Sequence, residues 1–261
     1  MGSPSVFSRA AAWGAACFLL LTGAAHAEEV KVMISGGMAA AYRELTPEFE
    51  QKTGHHIETA WGPSMGTTHD AIPIRLERGE KADVLIMVGS ALGELVRQGR
   101  VVADSRVDLV RSPIGMVVKA GVPKPDISTV EALTRTLLAA KSVVYSDSAS
   151  GVYVGGELFK RLGIAEQMQG KSRMIPAEPV AAVVARGEAE LGFQQISELL
   201  PIAGADFVAP LPEEVQKITI FSAGIVNGSQ NPAGAKALID FLASAAAAPA
   251  LKKSGLEPIH K

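Results

Sequence analysis

The sequence predicts an α/β protein of two lobes with a ligand cleft between them. Three observations carry this. Short apolar runs alternate with segments whose apolar residues recur every three to four positions, the order that builds a mostly parallel sheet with helices on both faces. The alternation restarts after Ser112 with no low-complexity linker. A long apolar run, "QKITIFSAGIV", and one more helical segment close the pattern.

Each element follows in order. "VKVMIS" (30–35) reads as a strand, and Met38, Tyr42, Leu45 and Phe49 then share one helical face. Pro47 predicts a kink in that helix and Gly54 its end. "IETAW" and "DVLIMV" are strands around the helix "IPIRLERG", and "ALGELVRQG" is a helix stopped by Gly99. After the restart, "IGMVVKAG", "SVVYS", "SRMI" and "AELGFQQ" read as strands. "TVEALTRTLLAAK", "VYVGGELFKRLG" and "PVAAVVARG" are the helices between them, and "PAGAKALIDFLAS" is the last helix, with Pro232 at its start. Crossovers near Ser112 and Lys217 divide the chain into a first lobe over 28–112, a second lobe over 113–217 and a return to the first lobe over 218–261.

Residues 1–27 are set apart as a secretory signal: Arg9, then the apolar "AAAWGAACFLLLTGAA", then a small-x-small site at Ala25, His26 and Ala27. The mature chain would start at Glu28, in the periplasm, with no membrane insertion after the signal is removed. Cys17, the single cysteine, lies in this segment, so a disulfide scaffold, a thiolate metal site and a cysteine nucleophile are all excluded from the mature chain. The near-neutral charge and the lack of a basic run exclude nucleic acid as a partner. An apolar fraction of 48% is enough for a buried core.

Three loops share an unusual composition. "ISGGM", "GPSMG" and "SDSASGVY" each follow an apolar run and lead into a helix-like segment. Ligands of parallel sheets bind outside the carboxyl ends of the strands. Helix starts there offer unpaired N–H groups, glycine lets an anion approach the backbone, and serine adds a directional donor. Any one such loop is explained as well by helix capping; three of them in both halves of the chain point to a cleft for a small anion. The walls would include Ser35, Gly36, Gly37, Ser64, Met65, Gly66, Ser148, Ser150 and Gly151. No phosphate-binding P-loop or HExxH motif is present, and no ligand cluster calls for a metal or another cofactor.

"RGEKADVLIMVG", "SASGVY" and "AEPVAAVVARGEAELGF" resemble the periplasmic molybdate-binding protein family, over essentially the whole mature chain. The resemblance implies the type II periplasmic binding protein fold, two α/β lobes closing on an oxyanion. Its anion contacts carry over unevenly. The family's first serine falls on Gly37, with Ser35 nearby, and its second falls within Ser64 to His69. A backbone donor falls on Ser150 and a valine N–H on Val180, and the family's tyrosine falls on Gln195, beside Gln194. Two side chains suited to molybdate are therefore absent.

"GPSMG", "IGMVVKAG", "SDSASGVY", "MIPAEPV" and "GFQQISEL" look like a narrower branch of the same fold, the aconitate isomerases. That branch implies a tricarboxylate substrate and movement of a double bond by allylic proton transfer. A base within hydrogen-bond reach is then required; His69, Tyr153 and Glu178 are the candidates, although each has an ordinary surface, packing or capping role open to it. The alternative is the solute-binding subunit of an ABC importer, with a permease as partner, for molybdate or an organic anion. A sensor that presents its ligand is a third reading.

Overall fold

The computed structural model describes residues 28–260, together with Met1 and Gly2. The signal expected over 1–27 lies, apart from those first two residues, outside the described residues. Two mixed sheets organise the molecule. The first holds β1 (Glu29–Ile34), β2 (His56–Trp61), β3 (Val84–Val88), β4 (Val107–Ser112), β10 (Thr219–Ile225) and β11 (Glu257–Pro258), in the order β11-β4-β10-β3-β1-β2. The second holds β5 (Ile114–Lys119), β6 (Val143–Ser146), β7 (Ser172–Ile175), β8 (Leu191–Gln195) and β9 (Ala205–Pro210), in the order β7-β6-β8-β5-β9.

The parallel pairings expected from the strand–helix alternation are β1 with β2 and β3, and β6 with β7 and β8. The remaining pairings are antiparallel and involve β4, β5, β9, β10 and β11. The physical reason is the chain path. β4 runs directly into β5 across Pro113, and β9 leads to β10, so these strands serve the passage from one sheet to the other rather than a helix-linked return.

Each sheet is covered on both faces. Met38, Tyr42, Leu45 and Phe49 pack with Leu238, Ile239 and Leu242 of the helix Pro232–Ala243 on one face of the first sheet. Ile72, Leu76, Leu92 and Leu95 cover its other face. The helix Ala39–Thr53 runs through Pro47 and ends as expected at Gly54, whose φ of 75° is a left-handed cap. Its buried face offsets the roughly 3 kcal/mol that an interior proline costs. In the second lobe, Leu133, Leu137, Leu158 and Phe159 fill one face, and Val180, Val183 and Val184 the other.

The two crossovers lie side by side and are latched by glutamines. Gln216 Oε1 accepts from the Ile114 N–H at 2.9 Å, and its amide nitrogen donates to the Ile114 carbonyl at 3.0 Å. The Gln195 amide oxygen accepts from Thr219 Oγ1 at 2.8 Å, while its nitrogen donates to the Ser112 carbonyl at 2.9 Å. Among the described residues, no helix is long and apolar enough to cross a membrane.

Candidate functional site

The loops after β1, β2 and β3 leave the first sheet at one edge, and Ser64 ties them together. Its hydroxyl donates to Ser35 Oγ at 2.8 Å and accepts from the Val88 N–H at 2.9 Å. Ser64 therefore spends its proton inside the protein, and Ser35, which accepts that bond, keeps its own proton for another acceptor. Both serines are buried. Met65, Gly66 and His69 lie on the exposed part of the same loop. Ser64, Met65 and Gly66 also border a hollow of about 370 Å³, whose lining comes wholly from the first lobe.

Glycine is demanded at the turn after Ser35. A Cβ on Gly37 would overlap the Phe221 ring, and one on Gly36 would come within 2.6 Å of Glu198 Oε1. Gly37 thus stands where the family resemblance places a serine because a strand residue of the same sheet fills the side-chain space.

The second lobe contributes a triangle of hydroxyls at the end of β6. Ser146 Oγ lies 2.7 Å from Ser148 Oγ and 3.1 Å from Ser150 Oγ, and the last two are 3.2 Å apart. The helical segment that follows begins at Ala149 and packs so tightly on the strand that a Cβ on Gly151 would overlap the Ser146 carbonyl. Asp147, within this loop, accepts from the Ala177 N–H at 3.1 Å. Ala177 has a φ of 54°, a left-handed conformation that is uncommon outside glycine and often kept at functional loops. The N–H of Val180 is taken by Gln194 Oε1 at 3.1 Å. That leaves the Gln194 amide NH2 for the carboxyl of Glu198.

Glu198 is the residue that sequence reasoning missed. It lies in the short helix Ile196–Leu199, after β8. The neighbouring Ser197 donates to the Gly37 carbonyl at 2.7 Å, pinning this helix to the first lobe's turn. The Glu198 carboxyl rests against Gly36. Burial pushes its pKa up to about 7; the Gln194 hydrogen bond works against this, and the charge of Asp147 adds to it. The only sequence signal was its place two residues into a helix after a strand, the same placement that marks the serine loops.

The three candidate bases are not brought together. Tyr153 is buried, donates to the Val215 carbonyl at 2.7 Å and accepts from Arg161 at 2.9 Å. Burial pushes its phenol further up. Glu178 is ion-paired with Arg186 at 2.7 Å. The backbone carbonyl of His69 accepts from Arg78 at 2.6 Å, and its side chain lies on an exposed loop. Gln195 belongs to the crossover latch, not to the serine loops.

The hydroxyl accounting gives a first expected result. Ser35→Ala should weaken anion binding tenfold or more in a calorimetric titration, since a hydrogen bond to a charged group contributes about 1.5–3 kcal/mol and about 1.4 kcal/mol is a factor of ten. Ser64→Ala should also lower the melting temperature of the unliganded protein, because it strands the Val88 N–H. Equal melting temperatures for the wild type and Ser64→Ala would contradict the bond from the Val88 N–H to Ser64.

The site so built is a set of neutral hydroxyls and helix starts at the strand ends, with the half-buried Glu198 carboxyl resting against the Gly36 turn. The model of the family described as bacterial extracellular solute-binding protein matches residues 30–257. An aconitate isomerase from Pseudomonas sp is 53% identical over 228 residues, covering 87% of each chain. The molybdate-binding protein ModA of Azotobacter vinelandii is 26% identical, over 90% of this chain and 92% of its own. Among solved structures, the periplasmic molybdate-binding protein of Azotobacter vinelandii superimposes with a TM-score of 0.68 at 18% identity, over 87% of this chain and 98% of that one. The sulfate-binding protein SubI of Mycobacterium tuberculosis gives 0.69 at 16% identity, over 89% and 87%. At those identities the superpositions speak to the fold alone; the family match spans nearly every described residue, and the chain belongs to the bacterial extracellular solute-binding proteins.

Proposed function

We propose that this protein is a periplasmic aconitate isomerase, interconverting cis- and trans-aconitate by allylic proton transfer in the cleft between its lobes. The observation that carries the reading is the 53% identity, over 87% of both chains, to a relative named for that activity. The geometry suits it. Ser35, the helix starts and the serine triangle offer neutral donors to carboxylates, and donors aimed at developing negative charge stabilise a carbanion-like state. The lobes on this reading are 28–112 with 218–261, and 113–217. Export follows from the family's extracellular character and from the signal expected over 1–27. A tricarboxylate is preferred to molybdate because Gly37 and Gln195 stand in place of a serine and a tyrosine, and both positions are committed to internal packing.

A receptor for an ABC importer is the second reading, favoured by the solute-binding family model and by the molybdate-binding relatives. Incubation of purified protein with cis-aconitate, followed by chromatographic separation of the isomers, tests the two. Trans-aconitate forming in proportion to enzyme concentration supports the isomerase. Tight binding without product supports the receptor.

A further inference from the structure

We propose that Glu198 is the catalytic acid–base residue of this cleft, taking the proton from one substrate carbon and returning it to another; the proposal rests on the aconitate reading of the site. Two independent pieces of geometry meet at this side chain. Its Oε1 would lie only 2.6 Å from a Cβ on Gly36, so it stands against the serine–glycine turn of the first lobe although it belongs to the second. Ser197, its neighbour, is pinned to the Gly37 carbonyl at 2.7 Å, which fixes the helix that carries it. Gln194, whose amide oxygen accepts from the Val180 N–H at 3.1 Å, is the neighbour whose amide favours the charged form of the carboxyl. An ordinary surface glutamate would need none of these.

The chemistry asks for such a group. Aconitate has a methylene carbon next to a double bond, each end carrying a carboxylate. The Glu198 carboxylate takes one methylene proton. The C–H electron pair becomes the new double bond, and the old π pair moves to the former alkene carbon, which takes the proton back from the Glu198 carboxyl. One C–H bond breaks, one forms, and Glu198 ends as it began. The new double bond forms where the substrate has a single bond, so the conformation about the methylene–alkene bond at the moment the proton leaves sets the geometry of the product. No oxidant, metal or second substrate enters the balance.

Electrostatics around the carboxyl favours this cycle. A general base works best when its pKa lies near the working pH. Burial raises Glu198 into that range, and Asp147, from the loop after β6, is the charged neighbour that raises it further. The Gly36–Gly37 turn facing it from the first lobe is uncharged, and Gln194 facing it from β8 is neutral. The serine hydroxyls and backbone N–H groups then remain for the substrate carboxylates, and the base does not compete with them. By contrast, the hydroxyl of Tyr153 donates to the Val215 carbonyl and Glu178 is paired with Arg186.

The test compares wild-type protein with Glu198→Gln and Glu198→Asp, reading turnover of cis-aconitate, affinity by calorimetry, and melting temperature. Glu198→Gln keeps the shape and loses the base: turnover should fall by about 10²–10⁴-fold, with affinity within about tenfold and the fold intact. Glu198→Asp withdraws the carboxyl by one methylene and should retain part of the rate. In the wild type, kcat/KM should rise as pH passes through about 7, the range of the free carboxyl. The corresponding rise in kcat should come at higher pH, because the bound trianion raises the group further. Wild-type turnover with an unimpaired Glu198→Gln, or with loss confined to His69→Ala, Tyr153→Phe or Glu178→Gln, overturns the assignment and leaves the isomerase reading standing. No turnover by the wild type overturns both. If Glu198→Gln fails to fold, Glu198→Asp and the pH profile decide: full activity in Glu198→Asp with a profile flat between pH 6 and 8 overturns the assignment.

Discussion

Gly151→Ala is expected to lose both stability and anion binding. The added Cβ would meet the Ser146 carbonyl, with the carbonyl carbon and the amide nitrogen of the same residue close behind. These are backbone atoms of β6, which is paired on both sides, with β7 and with β8, and has no room to retreat. The helix start must move instead, and the hydroxyl triangle of Ser146, Ser148 and Ser150 opens with it. Overpacking typically costs about 1–3 kcal/mol, and a clash with fixed backbone belongs at the upper end. Two lost hydrogen bonds to a charged ligand would weaken binding about a hundredfold, at roughly tenfold or more each. Urea denaturation and calorimetric titration of the variant measure the two effects. A variant with wild-type midpoint and wild-type affinity would mean that the helix start and β6 are not packed as described.

Glu198→Gln is expected to make the unliganded protein more stable at pH 8 and to leave it unchanged at pH 4. The sign follows from linkage. The folded state holds the Glu198 proton up to about pH 7, whereas the unfolded chain releases it near 4.5. The stability that comes with that proton is fully present below 4.5 and is lost as pH rises through about 7. At pH 8 the wild type must keep a buried carboxylate, and the glutamine variant need not. The difference between the two proteins should therefore grow from nothing at pH 4 to at most about 3 kcal/mol at pH 8. Denaturant midpoints measured at both pH values give it directly. A difference that shrinks as pH rises would reverse the sign and remove the case for a proton held at neutral pH. The gain in stability is the expected counterpart of lost function, since sites that keep a charge in an unfavourable place do so for their chemistry.

Much of the fold was legible because its strands are short apolar runs. Val30 to Ile34, Val84 to Val88 and Leu191 to Gln195 announce themselves, and Gly54 closes its helix where the pattern says it should. β4 and β9 were not legible. Asp108 and Arg111 break the apolar run in the first, and Asp206 follows Ala205 at the start of the second among partly exposed residues. Their identity as strands depends on β10 and β5, far away in sequence. The chain there is passing between sheets, so no helical period flanks it.

The site divided in the same way. Loop composition located Ser35, Gly36, Gly37, Ser64, Ser148, Ser150 and Gly151 at strand ends, because the signal is local. What each polar group does there is non-local and was out of reach. The Ser64 proton goes to Ser35 from another loop, the Val180 N–H goes to Gln194, and Gln195 spans to Ser112 and Thr219. Glu198 was hidden for the same reason. In sequence it is a lone glutamate among helical neighbours, and the Gly36 turn that it rests against lies far away in the chain.

The claim at the centre of this account is that the cleft moves a double bond and does more than hold an anion. cis-Aconitate carrying 13C at its methylene carbon tests it most directly. With enzyme at catalytic concentration and the products followed by 13C NMR, the label should appear at the alkene CH of trans-aconitate, because the methylene that loses its proton becomes part of the new double bond. This outcome does not depend on whether the proton exchanges with solvent. Trans-aconitate with the label still at its methylene would mean rotation without an allylic shift, and labelled cis-aconitate that is bound but never converted would mean a receptor; either result contradicts the account.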